Sequence, residues 1–267
     1  MTPTPGAVTG TASTVVRKVR LKLPRLVGES TALRALQDWL TASHHLSRKN
    51  LIRLDTNLRE CKTVDDYIDF ASHLLPSHQI RSEISKFLRF AAGEGPRIVC
   101  EIGTAEGGTT FLLSHAIPTV ELMLGIDLFV WNRRLLRRFG RPGTRMSFLN
   151  GSSHSQRTLE RTKQLLAGRA IDLLFIDGDH TYRGVAHDFL TYGALVRDGG
   201  LVAFHDIVPD FFSRYGRATG RWAGDVHLFW SKVRRLFEHR EFVEDAQQDG
   251  LGIGVIRYKR GVDLGLD

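Results

Sequence analysis

The stretch LLFIDGDHTY, residues 173–182, runs four apolar residues straight into Asp177, Asp179 and His180. A strand buried on both faces has no room for charge along its length, whereas its tip can hold a functional group rigidly at the rim of the core. The same design recurs outward from it. RIVCEIG (97–103), VELMLGIDLF (120–129), MSFLNG (146–151) and GGLVAFHDI (199–207) read as further strands, and EFVEDA (241–246) and GIGVIRY (252–258) as two more near the end. Between them lie helical patterns: TVDDYIDFASHLL (63–75) with Thr63 as cap, IRSEISKFLRFAA (80–92), TTFLLSHAI (109–117), QRTLERTKQLLAG (156–168), TYRGVAHDFLTYGALV (181–196) and a segment over 226–237. Apolar strands alternating with helices predict an α/β chain whose mostly parallel sheet is covered on both sides.

Composition narrows the class. The chain has 267 residues, 42% hydrophobic and 25% charged, as in an ordinary globular protein with one sizeable core. No apolar run approaches a membrane span, and the opening residues lack the basic-then-apolar order of a secretory signal. Cys61 and Cys100 do not make a disulfide framework, so a reducing cytoplasmic location is expected. Part of the net charge of +8 sits in RKVRLKLPR (17–25) and RRLLRRFGRPGTR (133–145). Aromatic residues do not alternate with these arginines as a base-stacking platform requires, and a solvated basic face accounts for them. Residues 1–25 read as a mobile basic tail, 26–79 as an N-terminal helical cap with a first helix from Ser30, and 80–267 as the main domain.

Two constellations carry chemistry. In VCEIGTAEGGTT the glycines 103, 107 and 108 fall in the turn between the first strand and its helix, where the backbone can approach a ligand. The spacing E-x-G-x-x-x-G-G is not the dinucleotide fingerprint. Glu101 in that turn would repel a pyrophosphate and favour a ligand bearing an ammonium or sulfonium. Asp127, ending the second strand, is placed to accept both hydroxyls of a ribose. Adjacent parallel strand tips lie about 5 Å apart, so Asp177 and Asp206 can share a hard divalent ion such as Mg²⁺. His205 precedes Asp206, and successive strand residues point to opposite faces. Both reach one ion only if the strand has already ended; a histidine ligand would shift preference toward ions such as Mn²⁺. Asp179 reads as a turn or N-cap residue.

The run EIGTAEGGTT, then Asp127, IDGDH and GGLVAFHD, resembles the class I S-adenosylmethionine-dependent methyltransferases, and within them the metal-dependent O-methyltransferases of small molecules, catechol-type and sugar-modifying. The resemblance covers roughly residues 80–258. It implies a Rossmann-like, seven-stranded, mostly parallel sheet flanked by helices, with an N-terminal helical extension. It implies that Glu101, Gly103 and Thr109 surround the methionine part of the cofactor, Asp127 the ribose, and Ser153 with His154 the adenine. It implies that Asp177, His205 and Asp206 hold the metal, with His180 as general base. Relatives carry acidic or amide groups at the pair that is His205 and Asp206 here.

A metal-dependent hydrolase or a non-haem iron oxygenase could use the same acids and histidines, but neither explains Glu101, the glycine turn and Asp127. An RNA methyltransferase would use the basic segments, and its binding would fall steeply with salt. The expectation is a metal-assisted O-methyltransferase of a small hydroxylated acceptor, a sugar or glycosylated natural product first and a phenol second. The helices before residue 80 and the segment 129–145 would cover the site, and a homodimer is compatible with the resemblance.

Overall fold

The computed structural model describes residues 47–75, 77–217 and 223–265; the basic tail and the helix expected from Ser30 lie outside the described residues. Seven strands form one sheet: β1 (Ile98–Ile102), β2 (Leu122–Asp127), β3 (Arg145–Asn150), β4 (Ile171–Ile176), β5 (Val196–His205), β6 (His239–Phe242) and β7 (Ile253–Arg257). Their order is β3-β2-β1-β4-β5-β7-β6. The first five are mutually parallel, and β7 runs antiparallel to both its neighbours. From β1 the chain moves outward through β2 and β3, then returns to the other side of β1 with β4. The connections at the carboxyl ends of β1 and β4 therefore leave in opposite directions and open a crevice between them.

Strand periodicity builds a core on each face. Val99, Leu173, Phe175 and Ala203 pack on one side with helices α2 (Val64–Leu74), α3 (Arg81–Glu94) and α4 (Gly108–Ala116). Cys100, Ile102, Leu174, Ile176, Val202 and Phe204 pack on the other, with α7 (Tyr182–Gly193) and α9 (Val226–Val233). Helix α6 (Gln156–Leu166) joins that second layer through Leu166. Thr63 and Asp66 close a capping box at the start of α2, and Gly95, left-handed, ends α3. All nine residues of α4 are buried, so this helix, next to the glycine turn, is a core element in its own right. Because α2 places Ile68, Phe70, Ala71 and Leu74 in the same core as the sheet, the described part of the expected N-terminal cap is joined to the main domain.

The structure adds three helices that the sequence pattern did not announce. Helix α1 (Arg48–Glu60) shows only a narrow stripe of Leu51, Leu54 and Leu58 toward the core among arginines and acids. Helix α5 (Arg133–Arg138) forms inside the basic segment because Leu135 and Leu136 are buried beneath it. Helix α8 (Phe211–Tyr215) is one short turn capped by Asp210. Strand β6 comes earlier than EFVEDA suggested, since Asp245 and Gln248 close a turn there, Gln248 N donating to Asp245 O at 3.0 Å.

Phe87 of α3 is fully buried, with ring centroids 5.6 Å from Phe175 of β4 and 5.9 Å from Phe242 of β6. Phe87→Ala should lower unfolding free energy by about 3–5 kcal/mol in urea titration, the range for removing a large core aromatic.

Candidate active site

The turn after β1 is held in three directions. Gly103 N donates to Ile126 O at 2.8 Å, tying the turn to β2. Gly103 has φ +95°, and a Cβ there would stand 1.9 Å from the backbone oxygen of Asp177. Only glycine allows this turn to lie against the tip of β4. On the other side, Ala105 N donates to Asp127 Oδ2 at 2.9 Å and Phe129 N to Asp127 Oδ1 at 2.7 Å. The Asp127 carboxylate is thereby fixed at the crevice, with a further lone pair on each oxygen for a ligand. Burial pushes its pKa up to about 6, against the pull of those two bonds.

A cleft of about 410 Å³ opens at this crevice, lined by Gly103, Ala105, Asp127, Ser153, His154 and Asp177 among others. The structure thus brings four of the six expected cofactor residues to one cavity. The other two lie elsewhere. Glu101 is 1% exposed, inside β1, and accepts a hydrogen bond from the Thr110 hydroxyl. Burial pushes its pKa up to about 8. Thr109 is buried in the first turn of α4 and accepts from Gln79 Nε2 at 3.2 Å. The sequence reading overlooked Leu128, which lines the cleft and is 51% exposed. An apolar residue directly after a strand-ending acid was the available signal. It gives the cleft an apolar wall beside its carboxylate, as a purine and ribose together would require.

The charged cluster sits at the tips of β4 and β5. Strand β5 ends at His205, and Asp206 turns back with φ +62°, so the alternation that would send the two residues to opposite faces no longer applies. His205 Nδ1 stands 3.1 Å from Asp177 Oδ1. His180 bridges the two acids, Nε2 3.2 Å from Asp177 Oδ1 and Nδ1 3.1 Å from Asp206 Oδ2. Asp177, His180 and Asp206 bring one donor atom each to within 4.8 Å of one another; His205 is hydrogen-bonded to this group and almost fully buried. Burial alone would raise Asp177, but the charges and hydrogen bonds of His205 and His180 outweigh it and hold the carboxyl well below its ordinary range. Burial would lower His205, but Asp177 pushes it up to about 9. Burial raises Asp206 despite its histidine neighbours. Two carboxylates this close need positive charge, here from the histidines and equally well from a divalent cation.

His180 is positioned by a segment the sequence reading gave no role. Asp225 N donates to His180 O at 2.7 Å, and Gly224, φ +55°, packs so closely that a Cβ would lie 2.3 Å from that oxygen. Asp179 is a turn residue, accepting from Thr181 N at 3.0 Å, while Thr181 itself caps α7.

Comparison with known proteins accords with this geometry. Residues 100–207, which hold the glycine turn, Asp127 and both strand tips, match a family described as a methyltransferase domain. Uncharacterized protein R132 of Acanthamoeba polyphaga mimivirus is 32% identical over 112 residues, 40% of this chain and 49% of the relative; the chain spans about half the length of the curated relative it matches. Among solved structures, an O-methyltransferase from Bacillus cereus in complex with SAH superposes with a TM-score of 0.54 at 17% identity, covering 82% of this chain and 96% of that one. The O-methyltransferase TomG from Streptomyces achromogenes, in complex with SAM, gives 0.51 at 15% identity over 74% and 90%. Residues 100–207 are thus similar to a methyltransferase domain, and the sheet around them has the fold of these solved O-methyltransferases.

The Glu101 carboxyl gives a pH signature. Between its ordinary 4.5 and about 8, the folded chain keeps a proton that the unfolded chain releases. Stability is therefore full below that window and falls as pH rises through it. In Glu101→Gln this contribution vanishes, so thermal melts from pH 5 to pH 8 should show a shallower decline than in the wild type; an unchanged slope would mean that Glu101 is ionised in the fold.

Proposed function

We propose that the protein is an S-adenosylmethionine-dependent O-methyltransferase acting on a hydroxyl of a small molecule, with a divalent cation at the tips of β4 and β5. The observation that carries this reading is the contiguity of the two halves of the site. Asp177 both lines the cleft beside Asp127 and takes part in the charged cluster with His180 and Asp206.

The residues fit both groups. Gly103 leaves the space a cofactor backbone needs, Asp127 would accept the ribose hydroxyls, and Ser153, His154 and Leu128 would flank the adenine. Glu101 and Thr109, buried under the turn, would set the polarity where the methionine part ends. Bound S-adenosylmethionine supplies the electrophilic methyl group. Asp177 and Asp206 would hold the cation, with His205 fixing the Asp177 carboxylate; a bound cation supplies acidification and orientation of the acceptor hydroxyl. His180 lies at the open side of the cluster, its side chain 29% exposed against 6% for Asp206. Once a cation takes over the two carboxylates that its nitrogens now face, His180 would take the hydroxyl proton on an imidazole nitrogen as the oxygen attacks in line. Holding oxygen and methyl carbon in register would provide much of the acceleration. The acceptor class favoured is a sugar or glycosylated natural product, then a phenol, and the helices before residue 80 and the segment 129–145 would cover the site.

Calorimetric titration of S-adenosylmethionine should show saturable binding in the wild type and none in Asp127→Ala. With an acceptor found by screening sugars and phenols, chelation should abolish turnover and Mg²⁺ should restore it. His180→Gln should lower kcat by about 10²–10⁴-fold with cofactor affinity kept. No cofactor binding in any condition would overturn the reading.

A further inference from the structure

A second group of donors stands apart from the charged cluster. His154 lies in the turn between β3 and α6, and His187 and Asp188 are neighbours on α7. One donor atom from each falls within 4.8 Å of the others. Asp188 Oδ1 is 3.6 Å from His154 Nε2 and 3.9 Å from His187 Nδ1, and the two imidazole rings face one another with centroids 4.2 Å apart. These distances are too long for hydrogen bonds. They are close to the separation of about 3.3 Å that ligands at zinc bond lengths take around a tetrahedral ion.

What sets this group apart is its carboxylate. The Asp188 side chain is 0% exposed, and among the described residues neither of its oxygens has a hydrogen bond of ordinary geometry, the Ser153 hydroxyl being the donor that partly offsets its burial; His187 Nδ1 is equally without such a bond. A buried carboxylate held by so few donors is costly, and a cation on its surface side would reduce that cost. The histidine side chains, 36% and 42% exposed, leave the group reachable from solvent and free to close on an ion by small ring rotations. Two nitrogens and one oxygen with an open fourth position suit Zn²⁺ or a similar transition ion and do not suit Mg²⁺, which takes oxygen ligands in an octahedron.

We propose that His154, His187 and Asp188 form a transition-metal site, selective for Zn²⁺ over Mg²⁺ and separate from the Asp177, His180 and Asp206 group. Because His154 also lines the cleft, an ion here would fix one wall of the pocket and so change its affinity for what binds there. That coupling rests on the cleft being the cofactor pocket; the metal site itself does not.

The test is a titration of the full, metal-stripped chain with Co²⁺ as spectroscopic probe, in saturating Mg²⁺ to occupy the oxygen-rich group. One equivalent should bind with the strong visible absorption of four-coordinate Co²⁺, and Zn²⁺ should bleach it. His187→Ala, at a part-exposed position, should weaken this binding at least about tenfold with an unchanged circular dichroism spectrum, and His187→Asn serves if the alanine variant does not fold. Asp206→Asn should leave the absorption intact. Absence of the four-coordinate band, its persistence in both His187 variants, or its loss in Asp206→Asn would overturn the proposal. Failure of the methyltransferase reading would be separately visible, as S-adenosylmethionine failing to bind a protein that still gives the Co²⁺ band.

Discussion

The approach of Gly103 to the Asp177 backbone oxygen is the contact on which the site depends. It presses the turn after β1 against the tip of β4 at the point where the sheet reverses its winding. A side chain there would separate the two tips, and with them the cleft beside Asp127 from the charged group at β5. The parallel registers of β1 with β2 and with β4 bring the three tips level, and the glycine lets the first turn close the remaining gap. Rigidity comes from beneath, where α4 is buried along its whole length and α3 stacks its phenylalanines on the sheet.

Charge is the second organising fact. Glu101, Asp127, Asp177, Asp188 and Asp206 all gather near the carboxyl edge of the sheet, and no lysine or arginine is bonded to any of them among the described residues. Their neighbours are hydroxyls, backbone amides and histidines. Arginines elsewhere make surface pairs, as Arg138 does with Asp55 and Arg97 with Glu121. Glu101 keeps its proton below about pH 8 and the histidines supply part of the charge the other acids call for, so this edge suits cationic ligands better than anionic ones. That charge suits the sulfonium-bearing cofactor and the divalent ion proposed above better than a phosphate-rich ligand.

Much of this was legible in the sequence, because the parallel strands carry apolar runs that end in a polar signal, and because glycine turns and caps are local chemistry. Asp127, Asp177 and Asp206 fall at or just past strand ends, and His180 where the chain enters the next helix, the places their sequence positions predict. What stayed hidden depends on contacts between distant segments. Nothing local in residues 223–225 says that they hold His180, and Leu128 becomes a cleft wall only once Gly151 to His154 stand opposite it. Asp188 sits inside a helical repeat and its neighbourhood exists only when α7 packs under the turn after β3. Helix α1 escaped because its apolar stripe is three leucines wide, and β6 shifted because Asp245 and Gln248 close a turn that composition alone did not mark.

The left-handed backbone at Asp206 bears on how this position can vary. Side chains other than glycine, asparagine and aspartate are strained in that conformation, and β-branched ones most of all. The geometry that swings the carboxylate round to join Asp177 therefore also restricts what can replace it. Of the residues the backbone tolerates, two end in an oxygen that can bind a cation. Drift at this site is channelled: a lineage can weaken the charge by passing to the amide, or lose the side chain altogether, but has little room to change the chemistry by degrees.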